Sequence, residues 1–191
     1  SGANAIAIGR KSTSSNVGAI ALGDSGTASG AQAIAVGESS VASGAQAIAM
    51  GKSSTASGLT SVAIGYLAQT TGINNYALGT GAQAVGGWGT AIGNNSYADG
   101  NGSSAIAIGP NANAISAAGS NGINNTAIAI GEKATAVHSG IAIGYDAKAE
   151  GNQSLSLGVD SKAVGETSIA IGYNLTAESK KCSSSSFPRR I

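Results

Sequence analysis

Few residues of this chain belong to types that do chemistry. His138 is the single histidine, Cys182 the single cysteine, and there are nine acidic residues. A metal site needs several ligands converging on one ion. Here no second imidazole or thiolate exists to join His138 or Cys182, and one cysteine excludes a disulfide framework within the chain. The carboxylates Asp24, Glu38, Glu132, Asp146 and Asp160 fall at turns. Nothing in their spacing sets two of them across a cleft, as general acid–base work requires. Gly26, Gly30, Gly81 and Gly86-Gly87 lack the strand–loop–helix setting of a phosphate cradle, and the Gly-Gly-x-Gly-x-Asp calcium repeat is missing. No catalytic residue, metal site or cofactor is therefore expected, and the chain is not read as an enzyme. Tyr66, Tyr145 and Tyr173, each following a glycine, are either contact residues or mere turn decoration, and Trp88 in Gly86-Gly87-Trp88-Gly89 is the better contact candidate. An exposed tryptophan is a good contact anchor. His138 reads as a solvated turn residue.

These residues hang on a repeat. Ala5-Ile6-Ala7-Ile8-Gly9 returns, lightly edited, with closing glycines at 9, 23, 37, 51, 65, 79, 93, 109, 131, 144, 158 and 172. The gaps are 14 six times, then 16, 22, 13 and 14 twice. A fixed short period marks a solenoid. The residue before each closing glycine is aliphatic, as in Ile8, Leu22, Val36 and Met50. Two earlier stands a mostly β-branched one, as in Ile6, Ile20 and Val62. A spacing of two puts both on one face of a strand, with alanine between them on the other. A strand apolar on both faces is expected to be buried on both.

A second strand follows each closing glycine. Its third and fifth residues are small, as in Ser40 and Ala42, and the alternate ones vary and are mostly polar, as in Tyr97/Asp99, Lys148/Glu150 and Lys162/Val164. Seven residues after the closing glycine stands another glycine in most copies, so two tight turns with positive φ are expected. Fourteen residues are too few for a three-sided coil, so the spacing predicts a flattened, two-sided parallel β-roll of about 12 coils. At about 4.8 Å per coil the rod is roughly 58 Å long. The Ile face is expected to fill the gap between the sheets.

The chain has 191 residues, 30 of them Gly, with 4% aromatic and 10% charged residues. It cannot build a thick core of large rings, yet 42% hydrophobic residues is too many for a disordered chain. A net charge of +1 offers no field for nucleic acid, and no apolar run is long enough to span a membrane. No signal peptide is seen at Ser1, and one is expected to have been removed or to lie outside this fragment. The repeats run over 1–178, and 179–191 reads as a non-repeat tail or added remnant. Two extra residues near Asn101-Gly102 and eight around Ile115 to Asn121 are expected at turns, where an insertion is either a tolerated drift of the repeat or a protruding loop of the kind that often binds. The ligand-contact candidates are Trp88, Tyr97, Ile115, Asn121, Lys148 and Lys162.

Ser61-Val62-Ala63-Ile64-Gly65 with Ala68, and Ser168-Ile169-Ala170-Ile171-Gly172, resemble the head repeats of trimeric autotransporter adhesins of the YadA type. The resemblance covers about residues 3–178. It implies a left-handed roll in a tight homotrimer, held on a stalk above an outer-membrane anchor at the bacterial cell surface. It also implies binding to host extracellular-matrix proteins, cell-surface receptors or other bacterial cells. The sequence shows no neck, stalk heptads or anchor, so it is expected to be a piece of a longer chain, one that does not itself enter the membrane. A long apolar stripe is normally covered by a partner. On that argument the small face is assigned to the trimer interface, with the reverse assignment of the two faces left open: Ala7, Ala21, Ala35, Ala49, Ala63, Ala77, Ala91, Ala107, Ala129, Ala142 and Ala170. Adhesion is the leading function. An ice- or surface-binding solenoid is the alternative, suggested by Thr27-Ala28-Ser29 and Thr55-Ala56-Ser57, but Tyr97/Asp99, Lys148/Glu150 and Glu178 break its regularity. A carbohydrate-active solenoid enzyme would need clustered carboxylates in a groove, and none is visible.

Overall fold

The computed structural model describes residues 2–116 and 126–178, and the backbone of 183–185. Each repeat forms one flat coil of two short strands and two turns. The first strands, from Ile6–Ile8 to Ile169–Ile171, stack into one parallel sheet; the second strands, from Thr13–Ser14 to Thr176–Ala177, stack into another. Below these are called the aliphatic and the polar sheet. Like residues sit over like: Ile6, Ala7 and Ile8 pair with Ile20, Ala21 and Leu22, and the same register runs along the rod. It survives both long gaps, since Ala91 pairs with Ala107 and Ala107 with Ala129. The two residues added near Asn101-Gly102 lie at a turn, where no ladder constrains them. The aliphatic sheet has a thirteenth strand, Ser183–Ser185, on the edge of Ile169–Ile171. Part of the segment read as a tail thus adds a rung, because an open sheet edge pairs with backbone whatever the side-chain pattern.

The interior reverses the expected faces. Every buried apolar residue among those described is an alanine. Ala21, Ala35, Ala49, Ala63, Ala77, Ala91, Ala107, Ala129, Ala142 and Ala170 have no exposed surface in the single chain. They pack inside the roll, against Ala28, Ala42, Ala56 and their successors, and are unavailable to a subunit interface. Ala7 is exposed because it lies on the first, uncovered rung. The large aliphatics point outward instead: Ile64 is 37% and Ile92 39% exposed. The reason is thickness. Three-residue strands joined by tight turns hold the sheets so close that a methyl or hydroxymethyl group fills the gap. Interior serines are served by their own turns: Ser40, Ser54, Ser96 and Ser161 donate to the closing-glycine carbonyl three residues earlier at 2.9–3.1 Å.

Glycine is needed at the turns for two reasons. Gly37 has φ +132, and a Cβ there would lie 2.6 Å from the carbonyl oxygen of Gly51 in the next coil. At the second turn Gly30, Gly44, Gly58 and Gly151 do not have positive φ, contrary to expectation; a Cβ there would collide with the carbonyl of the glycine one coil on. The left-handed residue comes two positions later, at Gln32, Gln46, Thr60 and Gln153.

Two outcomes follow. Ala63→Leu overpacks the gap and is expected to lower stability by about 1–3 kcal/mol or more, whereas Ile64→Ala leaves the isolated roll folded; thermal unfolding of both variants checks this. The buried hydroxyls of Ser154 and Ser168 lack a hydrogen-bond partner. Ser154→Ala and Ser168→Ala should each leave stability unchanged or raise it, by up to about 1–3 kcal/mol, the cost of an unpartnered buried polar group; denaturant midpoints provide the reading.

Candidate functional site

Stacking turns each repeat position into a ladder, so functional surface is read along the rod. On the polar sheet one outward ladder runs Thr13, Thr27, Val41, Thr55, Gln69, Gln83, Tyr97, Asn113, Thr135, Lys148, Lys162, Thr176. The threonines never form an unbroken array. Tyr97 is half-buried, and its hydroxyl donates to Asp99 at 3.4 Å; Ile115 lies one rung on from Asp99. Tyr97, Asp99 and Ile115 therefore form one local patch. Lys148 stacks on Lys162, and each cation is paired, with Asp146 at 3.0 Å and with Glu150 at 3.1 Å. Three rungs, roughly 14 Å at sheet spacing, separate Lys148 from Tyr97, and Lys162 lies one rung further. Asn121 and most of the insert that contains it lie outside the described residues.

The turn after the closing glycine forms a second ridge. Arg10 pairs with Asp24, and Lys52 with Glu38 at 3.0 Å, each across one coil spacing. The Arg10 guanidinium, with help from the Ser25 hydroxyl, holds the Asp24 carboxyl below the usual carboxylate range. Tyr66, Tyr145 and Tyr173 stand on the same ridge, 49%, 44% and 72% exposed, which makes them contact surface rather than core. Lys133 lies 5.3 Å above the ring centre of Tyr145 and donates to its hydroxyl at 3.3 Å. His138 lies exposed on a turn at φ 57.

Trp88 lies on the opposite turn, 53% exposed and left-handed at φ 51. Beside it a cleft of roughly 270 Å³ opens, walled by Trp88, Gly102, Ser103 and Ser104. Sequence reasoning picked out the tryptophan but not the serines. The signal for them was the gap of 16 from Gly93 to Gly109, whose enlarged turn supplies Gly102, Ser103 and Ser104 to the far wall. The least expected surface is the outer face of the aliphatic sheet. Two aliphatic ladders run along it, interrupted in one by Tyr76 and Thr90, with none of the described residues laid over them.

The family model for the YadA head domain repeat matches residues 1–25, 28–54, 56–82, 89–112, 138–159 and 149–174, well over half of the chain. The chain belongs to the YadA head family. Among solved structures, it is similar to the collagen-binding domain of the Yersinia adhesin YadA, at 23% identity and a TM-score of 0.54. That likeness covers 100% of this chain and 93% of the other, and shows a shared fold. A comparison with curated proteins found no match. YadA-like heads belong to outer-membrane-anchored surface adhesins. The family repeat skips 83–88 and 113–137 here, the stretches that hold Trp88 and Ile115.

Burial first, and then the charge and hydrogen-bonding of Asp99, raise the Tyr97 phenol above its usual value. Folding therefore favours the protonated ring. Its contribution to stability is complete below about pH 10, the unperturbed tyrosine value, and is lost as pH rises through the higher folded value. Asp99→Asn should lower the Tyr97 transition in phenolic absorbance part-way, because burial persists.

Proposed function

We propose that this domain is the adhesive head of a bacterial surface protein. In this reading it acts as a rigid homotrimeric rod that binds host extracellular-matrix proteins, cell-surface receptors or neighbouring bacteria through many weak contacts. The observation that carries the reading is the pair of outward aliphatic ladders on a chain of the YadA head family. A monomer would leave them in water along roughly 58 Å of sheet, and apolar patches beyond a few hundred Å² are normally covered. The proposed subunit interface is therefore the Ile face, which replaces the Ala face of the sequence reading. The polar sheet and turn ridges are left for ligand, and no bond-making chemistry is involved. Collagen binding by the similar Yersinia domain makes a fibrous matrix protein a reasonable first target. Repeats 1–178 make the head in this proposal, with Ser183–Ser185 as one further rung on its edge.

Equal rungs on three chains let weak contacts add through avidity. Ile64→Lys together with Ile108→Lys is expected to yield folded monomers by sedimentation and circular dichroism, and these should lose most adhesion to a matrix-protein panel. Grouped changes at Tyr97, Lys148 and Lys162 should reduce adhesion by degrees. A stable folded monomer of the unaltered chain at micromolar concentration would overturn the trimer. If one substitution abolished matrix adhesion while the trimer stayed intact, the distributed contacts would be wrong.

A further inference from the structure

We infer that the cleft beside Trp88 is a saccharide site, in which one neutral sugar ring stacks on the indole while Ser104 and the Gly102 backbone meet its hydroxyls, with the buried Ser103 behind them. This site is additional to the distributed contacts proposed above.

The rung is built unlike its neighbours, and from the inside. Where other coils place Gln32, Gln46, Thr60 or Gln153 in the left-handed position, this one places a bulky indole, a conformation that costs about 1–2 kcal/mol for an L residue. The turn is held by Asn75, a fully buried side chain one coil before. Its Oδ1 accepts from the Gly89 amide at 2.6 Å, and its Nδ2 donates to the Ala84 carbonyl at 3.1 Å. Gly89 makes room for it: a Cβ there would lie 3.2 Å from Oδ1. A buried amide, matched to a glycine opposite it, thus clamps both ends of the segment that carries Trp88. The Trp88 amide also donates to the Ile73 carbonyl at 3.1 Å.

The far wall is fixed in the same way. Asp99 Oδ1 accepts the Asn101 amide at 2.9 Å and so shapes the two-residue enlargement. The buried Ser116 hydroxyl donates to the Ser104 carbonyl and accepts from the Ala127 amide at 3.0 Å. The regular family repeat has no match to 83–88, so this turn is a departure of this chain and not a feature of every rung.

The lining chooses the ligand class. One wall is an aromatic face, the other carries hydroxyls and backbone, and none of the four residues is charged. An aromatic face takes an apolar ring face, and neutral donors and acceptors take hydroxyls. Nothing in the lining attracts an anion. The volume, roughly 270 Å³, is just below the roughly 300–1,000 Å³ of drug-sized pockets, which suits one ring. A protein partner needs about 1,000 Å² of interface or more, far beyond this cleft.

Trp88 is the single tryptophan, so its emission reports directly on the site. The assembled protein is titrated with glucose-, galactose- and N-acetylglucosamine-terminated neutral oligosaccharides, with sialylated and sulfated ones alongside. A saturable emission change at millimolar concentration with at least one neutral sugar is expected. By saturation-transfer NMR, Trp88→Ala should abolish the binding, Trp88→Phe should retain part of it, and removal of Asn101-Gly102 should weaken it tenfold or more. Circular dichroism confirms that each variant is folded; where one is not, Trp88→Phe and the titration of the unaltered protein still decide. Absence of any saturable change, unchanged binding in folded Trp88→Ala, or response only to anionic sugars or to peptides overturns the proposal. Free sugars are read in solution, so a failure of matrix adhesion leaves this result intact, and the reverse.

Discussion

The rest of this structure depends on the narrow gap between its two sheets. Each coil closes through glycines whose backbones nearly touch those of the next coil, at φ near +130° at the closing position. That contact fixes the stacking, and the short strands between the turns fix the thickness. What remains inside admits alanine, serine and glycine, with Thr70 and Asn75 as the largest fully buried side chains. Cohesion in the chain comes from backbone ladders running coil to coil and from a dense filling of methyl groups. Large side chains would add transfer energy, but they do not fit.

The aliphatic residues that a thicker protein would bury therefore lie outside. Along the aliphatic sheet they make a surface with the composition of a core, which is why the proposed assembly buries that face. The opposite sheet carries polar ladders with paired charges and cannot play that part. Exposed ion pairs such as Lys52–Glu38 contribute little to stability. Their value lies in keeping one side of a highly repetitive rod soluble.

Function is then a matter of where the repetition is kept and where it is broken. Regular rungs supply the same surface many times, which suits weak additive contacts. The coils from Gly72 to Ser116 break the pattern with a buried amide, a left-handed tryptophan, an enlarged turn and the start of the long insert. A solenoid tolerates such changes because each rung contacts only its neighbours, so a new site can be built without disturbing register elsewhere.

The period of 14, the two-strand coil, the parallel stacking and the family resemblance were all legible in the sequence. They depend on local alternation and on glycines at fixed offsets, which any reader of the chain can count. Alternation also put Ile64 and Ala63 on opposite faces correctly. Which face is inside was not legible. The rule that large apolar residues go inward pointed to Ile64, and the structure put Ala63 there, because the distance between the sheets is decided by turns closing in three dimensions. The Trp88 cleft divides the same way. The tryptophan and the two surplus residues are visible in the sequence, but only the stacked coils bring Trp88 and Ser104, 16 residues apart, to one cleft. Periodicity is a property of the chain, whereas the depth of the gap and the meeting of two turns belong to the closed coil.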